Sequence, residues 1–195
     1  MAIKIKEIGV ESFLDYAEIP ISFTVESILQ VEAIDRGLGG FSLVEKEVTS
    51  YLKDYDRQGE NGDRPTVWAK KFDVSKWGFF LATDGSITLG GATVAVDTPS
   101  MIMLEKRKDL AVLWDIRVRP DLRRGGIGTK LFRHTVDWAK RRGYKQLKVE
   151  TQNVNVPACR FYAKQGCELG AIHQYAYASS PDVAHETMLL WYLKL

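Results

Sequence analysis

The sequence is poor in the residues that build metal sites and covalent frameworks. It has two cysteines, Cys159 and Cys167, and three histidines, His134, His173 and His185. None of them shows metal-ligand spacing, so a zinc module is excluded and no metal is expected. Two cysteines cannot staple a 195-residue chain, and both are expected to be reduced and packed. A long apolar run is also missing, as is a signal-type apolar segment near the start. The chain is therefore expected to be cytoplasmic, with no membrane partner. Charge of one sign is scarce, the formal net charge being only +2. That gives no electrostatic drive toward nucleic acid, although Arg117, Arg119, Arg123, Arg124, Arg141 and Arg142 lie close in sequence. What remains is an ordinary globular composition, 45% hydrophobic and 27% charged, on a chain long enough for an ample core.

The informative stretch runs from Leu113 to Tyr162. Leu113 to Val118 has strand character, and Pro120 ends it because proline has no N–H for a ladder. Arg123-Arg124-Gly125-Gly126-Ile127-Gly128 follows and leads into an amphipathic helix. Ile127, Leu131, Thr135, Trp138 and Ala139 mark its inner face, and Gly143 is its expected C′ residue. A glycine-rich turn at a helix N-terminus exposes backbone N–H groups and favours anions, and arginines suit phosphate. The dinucleotide fingerprint fails here, since Leu131 occupies its third glycine position; the P-loop pattern fails as well.

Arg123, Gly126 and Gly128 satisfy the pattern [RQ]-x-x-G-x-[GA]. Gln146 to Thr151 reads as the next strand. Asn155 is an N-cap, Pro157 sits near the first helical position, and a short helix through Phe161 and Tyr162 ends at Gly166. In this order the segments resemble the GCN5-related N-acetyltransferases, which bind acetyl-CoA. The resemblance implies that Arg123, Arg124, Gly125, Gly126, Ile127, Gly128 and Thr129 cradle the pyrophosphate. It also places the backbone of Ile116, Arg117 and Val118 against pantetheine, with Asn155 and Tyr162 as further acetyl-CoA contacts. The strands ending at Val118 and Thr151 are expected to splay around the pantetheine arm.

Elsewhere the signals are weaker. Ala2 to Ile8 alternates as a strand, and Glu11 to Glu18 is a short helix. Ile21 to Ile34 is a strand with an irregularity near Ser27. Val44, Val48, Tyr51 and Leu52 have helical spacing. Asp54 to Pro65 reads as a surface loop. Trp77 to Thr83 and Ile87 to Val96 form a hairpin about Asp84-Gly85, with a bulge or close approach at Gly90-Gly91. Two further strands are expected within 168–177 and 186–193. The fold class is α/β: a mixed, largely antiparallel sheet of about six or seven strands with helices on both faces. Residues 1–195 form one domain, and 113–166 are its acetyl-CoA-binding core.

Glu150-Thr151-Gln152, Asn155 to Cys159, Leu169-Gly170, Glu186-Thr187 and Lys53-Asp54-Tyr55 narrow the match. They are similar to streptothricin acetyltransferases, which acetylate the β-lysine part of that antibiotic. The resemblance makes Tyr162 the general acid facing the sulfur; a plain core tyrosine is the alternative. Asp115 and Glu150 are candidates for general base or for binding the cationic amine, directly or through water. Asp35 and Glu186 are weaker candidates for the cation. Arg160 and Lys164 could reach the 3′-phosphate of CoA, or simply form a wet helix face. A homodimer is open to the chain. Other acceptors stay open: another small amine, a polyamine or a protein amino group. A non-catalytic CoA-binding sensor is the remaining alternative.

Overall fold

In a computed structural model of the chain, helices and strands alternate in a mixed α/β order. The structure describes residues 3–57, 64–85 and 87–195. Part of the loop expected over 54–65, namely 58–63, lies outside the described residues, as do Ala2 of the first strand and Ser86 of the hairpin turn. The strands are β1 (Lys4–Glu7), β2 (Phe23–Ala33), β3 (Phe41–Lys53), β4 (Gly78–Asp84), β5 (Ile87–Ala95), β6 (Leu110–Val118), β7 (Gln146–Gln152), β8 (Glu168–His173) and β9 (Met188–Lys194). The helices are α1 (Phe13–Ala17), α2 (Pro65–Lys71), α3 (Ile127–Arg141) and α4 (Val156–Lys164). Seven strands form one sheet in the order β1-β4-β5-β6-β7-β9-β8, largely antiparallel; β2 and β3 form a separate two-stranded sheet.

The chain divides into two compact units. The first comprises Met1–Phe23, Asp54–Lys148 and Lys194–Leu195; the second comprises Thr24–Lys53 and Val149–Leu193. In the first unit β4 is buried on both faces, so its alternate residues serve two cores. Phe79 and Leu81 join Phe13, Tyr16, Trp68 and Trp77 on the α1–α2 side. Phe13 meets Phe79 edge-on with ring centroids 4.7 Å apart, a geometry favoured by the ring quadrupoles. On the other side Phe80 packs against Trp138 of α3. The glycine pair in β5 permits this double approach. A Cβ on Gly91 would lie 2.6 Å from the Tyr16 ring, and one on Gly90 would lie 3.1 Å from Leu131. Leu89 is also an extra residue opposite Ala82 and Thr83, so the expected bulge and the expected close approach are both present.

A second irregularity falls in β6. Val94 faces Leu113 and Thr93 faces Asp115, which leaves Trp114 as an extra residue. Beyond it the strand alternates cleanly: Asp115 and Arg117 are buried, while Ile116 and Val118 are partly exposed.

The helix expected near Val44 to Leu52 is instead strand β3. Its residues are mostly exposed on both faces of a two-stranded ribbon, so no burial pattern of period two marks it. The irregularity expected near Ser27 is not a break, since β2 runs unbroken through it. Helix α2, opened by Pro65, was not anticipated; seven residues are too few to display a period.

Candidate active site

The glycine-rich turn is built by the backbone of the first unit. Pro120 to Leu122 make one 3₁₀ turn after β6, and Arg124 and Gly126 then take positive φ values of 65° and 82°. Gly126 is the N-cap of α3 and has no side chain with which to cap it. The first helical bond is from Lys130 N–H to the Gly126 carbonyl at 3.1 Å. The N–H groups of Ile127 and Gly128 precede that bond and point out of the helix end. The α3 dipole adds partial positive charge there. Arg123, Arg124, Gly125 and Gly126 are exposed, and a Cβ built on Gly126 meets no atom within 4 Å. The turn is thus an open helix start with outward backbone donors, a setting that favours an anion. Ile127, Leu131, Thr135, Trp138 and Ala139 bury the inner face of α3, and Gly143 follows as C′ with φ 86°.

Arg123 is less available than the sequence implied. Its Nε donates to the Val118 carbonyl at 3.1 Å and an Nη to the Ser22 carbonyl at 2.8 Å. The side chain thus staples the turn to its own neighbours.

Asp115 and Arg117 form a buried network. Two guanidinium nitrogens of Arg117 bond Asp115, the shortest contact being 2.7 Å, and its Nη atoms also bond Asp56 at 2.9 and 3.1 Å. The Tyr16 hydroxyl donates to Asp115 at 2.7 Å. Burial, and then the neighbouring Asp115 charge, push the Tyr16 phenol well above its ordinary range. The Asp115 carboxylate therefore has a full set of fixed donors. That suits an anchor for β6 better than a group free to turn toward an incoming amine. Nothing in the sequence pointed to Tyr16, which lies 99 positions away.

The second unit holds Glu150, Asn155 and Tyr162. Asn155 caps α4, its side-chain oxygen accepting from Ala158 N–H at 3.2 Å, and Gly166 closes the helix with φ 89°. Tyr162 is buried on α4 at 5% exposure, edge-on to Phe161. Glu150 is half-buried on β7 and accepts from the Tyr177 hydroxyl at 2.6 Å; Gln152 Nε2 donates to that hydroxyl at 2.8 Å. Tyr177 escaped sequence reading because it stands in an irregular stretch between β8 and β9. Arg160 is exposed on α4 and ion-paired with Glu45.

Glu186 is almost fully buried and paired with an equally buried Lys53, while its Oε2 atom lies buried with no hydrogen-bond partner among the described residues. Asp35 is exposed at the β2–β3 turn. Cys159 and Cys167 are buried, free thiols; burial raises Cys159 and pushes Cys167 up to about 11. Neither is a thiolate at neutral pH, the opposite of a nucleophilic cysteine. Among the described residues no group of His, Cys, Asp and Glu is arranged to hold a metal ion. No helix among them is long and apolar enough to cross a membrane.

A model of the Acetyltransferase (GNAT) family matches residues 45–167. The streptothricin acetyltransferase of Escherichia coli is 30% identical over 172 residues, covering 87% of this chain and 84% of that protein. Streptothricin acetyltransferase A of Bacillus subtilis (strain 168) is 39% identical over 84 residues, or 43% of this chain. That match spans 48% of the Bacillus protein, about half its length. Among solved structures, a protein of Bacillus anthracis str. Ames in complex with acetyl coenzyme A has a TM-score of 0.77 at 23% identity over the whole of both chains. At that identity the likeness is one of fold.

Proposed function

The chain belongs to the GNAT acetyltransferase family, and from that premise we propose that it acetylates a primary amine of a small polycationic acceptor, the β-lysine part of streptothricin. The observation that carries the acceptor is the 30% identity to the E. coli streptothricin acetyltransferase across 84% of that protein's length. Residues 1–195 then act as one acetyltransferase domain, with 113–166 as the acetyl-CoA-binding core. The family match over 45–167 supports that core.

Acetyl-CoA, when bound, supplies the acetyl group as a thioester. The backbone from Arg124 to Thr129 takes the pyrophosphate, because an anion suits both the N–H groups at a helix start and the helix dipole. The backbone of Ile116, Arg117 and Val118 takes the pantetheine amides, and Asn155 fixes the start of α4. The acceptor amine arrives as an ammonium and must lose a proton before it attacks. We assign that proton to the Glu150 carboxylate, directly or through a water. Asp115 is the second choice, because it is already fully engaged by Arg117 and Tyr16. The Tyr162 hydroxyl protonates the departing thiolate sulfur, and the amide bond forms as the thioester bond breaks. Transfer is direct, with no acetyl-cysteine: the thiol of Cys159 is 2% exposed and raised in pKa by burial.

The test is mass spectrometry of streptothricin after incubation with the protein and acetyl-CoA. One added acetyl group on the β-lysine chain is expected. No product there, but acetylation within a panel of polyamines, amino sugars and peptides, would replace the acceptor and keep the chemistry. Acetyl-CoA binding without thiol release on any amine would leave only a sensor.

A further inference from the structure

Tyr177 follows β8 in a run of turns. Ala176 N–H bonds the His173 carbonyl, Ala178 N–H bonds that of Tyr175, and Ser180 N–H bonds that of Tyr177 itself. These turns separate two tyrosines that sequence alone cannot tell apart. Tyr175 is 78% exposed, whereas Tyr177 is half-buried with its hydroxyl on Glu150. Glu150 and Gln152 are alternate residues of β7 and so share one of its faces. The Gln152 amide donates to the Tyr177 oxygen at 2.8 Å and to Glu150 Oε1 at 3.3 Å. With that oxygen accepting from Gln152, the hydroxyl proton lies on the 2.6 Å line to Glu150 Oε1. A hydroxyl-to-carboxylate bond of that length is charge-assisted and strongly directional.

From this triangle we infer that Tyr177 is a positioning residue for acetyl transfer: its hydroxyl fixes the orientation of the Glu150 carboxylate, an inference that rests on the role proposed above for Glu150. A glutamate has three side-chain torsions and several rotamers of similar energy. A base must hold one orientation toward the proton it takes, and a displacement near 1 Å is enough to cost about 10²-fold. Two donors converging on a single oxygen select one rotamer. One of the two comes from outside the strand, so β7 alone does not set the geometry. Tyr177 does not itself take up a proton in this scheme. It acts through Glu150.

The test is a double-mutant cycle with Tyr177→Phe, Glu150→Gln and the two combined. Steady-state kinetics are read with streptothricin, or, if that is not acetylated, with the amine giving fastest thiol release in a panel of polyamines and amino sugars. Tyr177→Phe keeps the ring and is expected to lower kcat by roughly tenfold to a hundredfold. The KM for acetyl-CoA and the melting temperature should hold. On the Glu150→Gln background the same change should alter kcat by less than about twofold, because no carboxylate is left to orient. Gln152→Met removes the donor to Tyr177 without touching the ring, and should give a smaller loss with the same dependence on Glu150. Wild-type kcat in Tyr177→Phe overturns the inference and leaves the role of Glu150 intact. So does an equal proportional loss on both backgrounds, which would mean that Tyr177 acts independently. Wild-type turnover in Glu150→Gln instead removes the role of Glu150, and the inference goes with it.

Discussion

Helix α3 has a glycine just outside each end, and the pair forms a controlled experiment. Gly126 before the helix and Gly143 after it have φ values of 82° and 86°, and a Cβ on either meets no atom within 4 Å. Alanine at either position therefore suffers the same penalty and no clash. An L side chain in the left-handed region costs roughly 1–2 kcal/mol. For a chain of this size each kcal/mol lowers the melting temperature by about 2–4 °C, so both variants should melt roughly 2–8 °C below wild type. Their ligand binding should diverge. The Gly126 methyl sits beside the N–H groups at the start of α3, while the Gly143 methyl lies past its C-terminal end. A hydrogen bond to a charged group is worth about 1.5–3 kcal/mol, so displacing two at the pyrophosphate costs about 3–6 kcal/mol. That is roughly a 10²- to 10⁴-fold loss in Kd for acetyl-CoA. Gly143→Ala should bind as wild type does. Isothermal titration calorimetry on the folded variants reads both. Equal affinity in Gly126→Ala and Gly143→Ala would refute the cradle, and equal loss in both would trace the effect to helix strain instead.

Two further outcomes concern the candidate chemistry. Tyr162→Phe should leave acetyl-CoA affinity unchanged by calorimetry and lower kcat by about 10²–10⁴-fold, the usual range for general acid–base catalysis; near wild-type turnover would make Tyr162 a core residue. Asp115→Asn should show its effect in urea denaturation, with a loss toward the lower end of the roughly 3–5 kcal/mol that breaking a buried pair costs, because Asp56 still compensates Arg117. Full stability with lost turnover would make Asp115 the base.

The parts of the site legible in the sequence were those set by local rules. The α3 stripe, the glycines after α3 and α4, and the Asn155 cap each follow from a few adjacent residues, and each is where it was expected. The seven-stranded sheet was legible because most of its strands bury at least one face. Strand β3 was not, because Val44, Val48, Tyr51 and Leu52 fall at helical spacing by chance on a ribbon that buries little. Alternation placed Asp115 on the face opposite Ile116, but no spacing rule reveals Tyr16 or Asp56 as its neighbours in the network. Tyr177 was hidden for the same reason: its partner lies 27 positions away and its own segment has no period.

The extra residue at Trp114 works as a frameshift written into the pleat. Val112 and Trp114 belong to the aromatic core that includes Tyr16, and Asp115 bonds Tyr16 as well, so two consecutive side chains serve one side of the sheet. Every residue after the bulge is addressed one step out of phase with those before it. Deleting Trp114 would not merely remove an indole. It would close the bulge into a regular ladder, Leu113 opposite Val94 and Asp115 opposite Thr93, and leave Asp115 and Arg117 on the side of Tyr16. The extra residue thus lets an indole and a carboxylate stand side by side on one face, which strict alternation forbids.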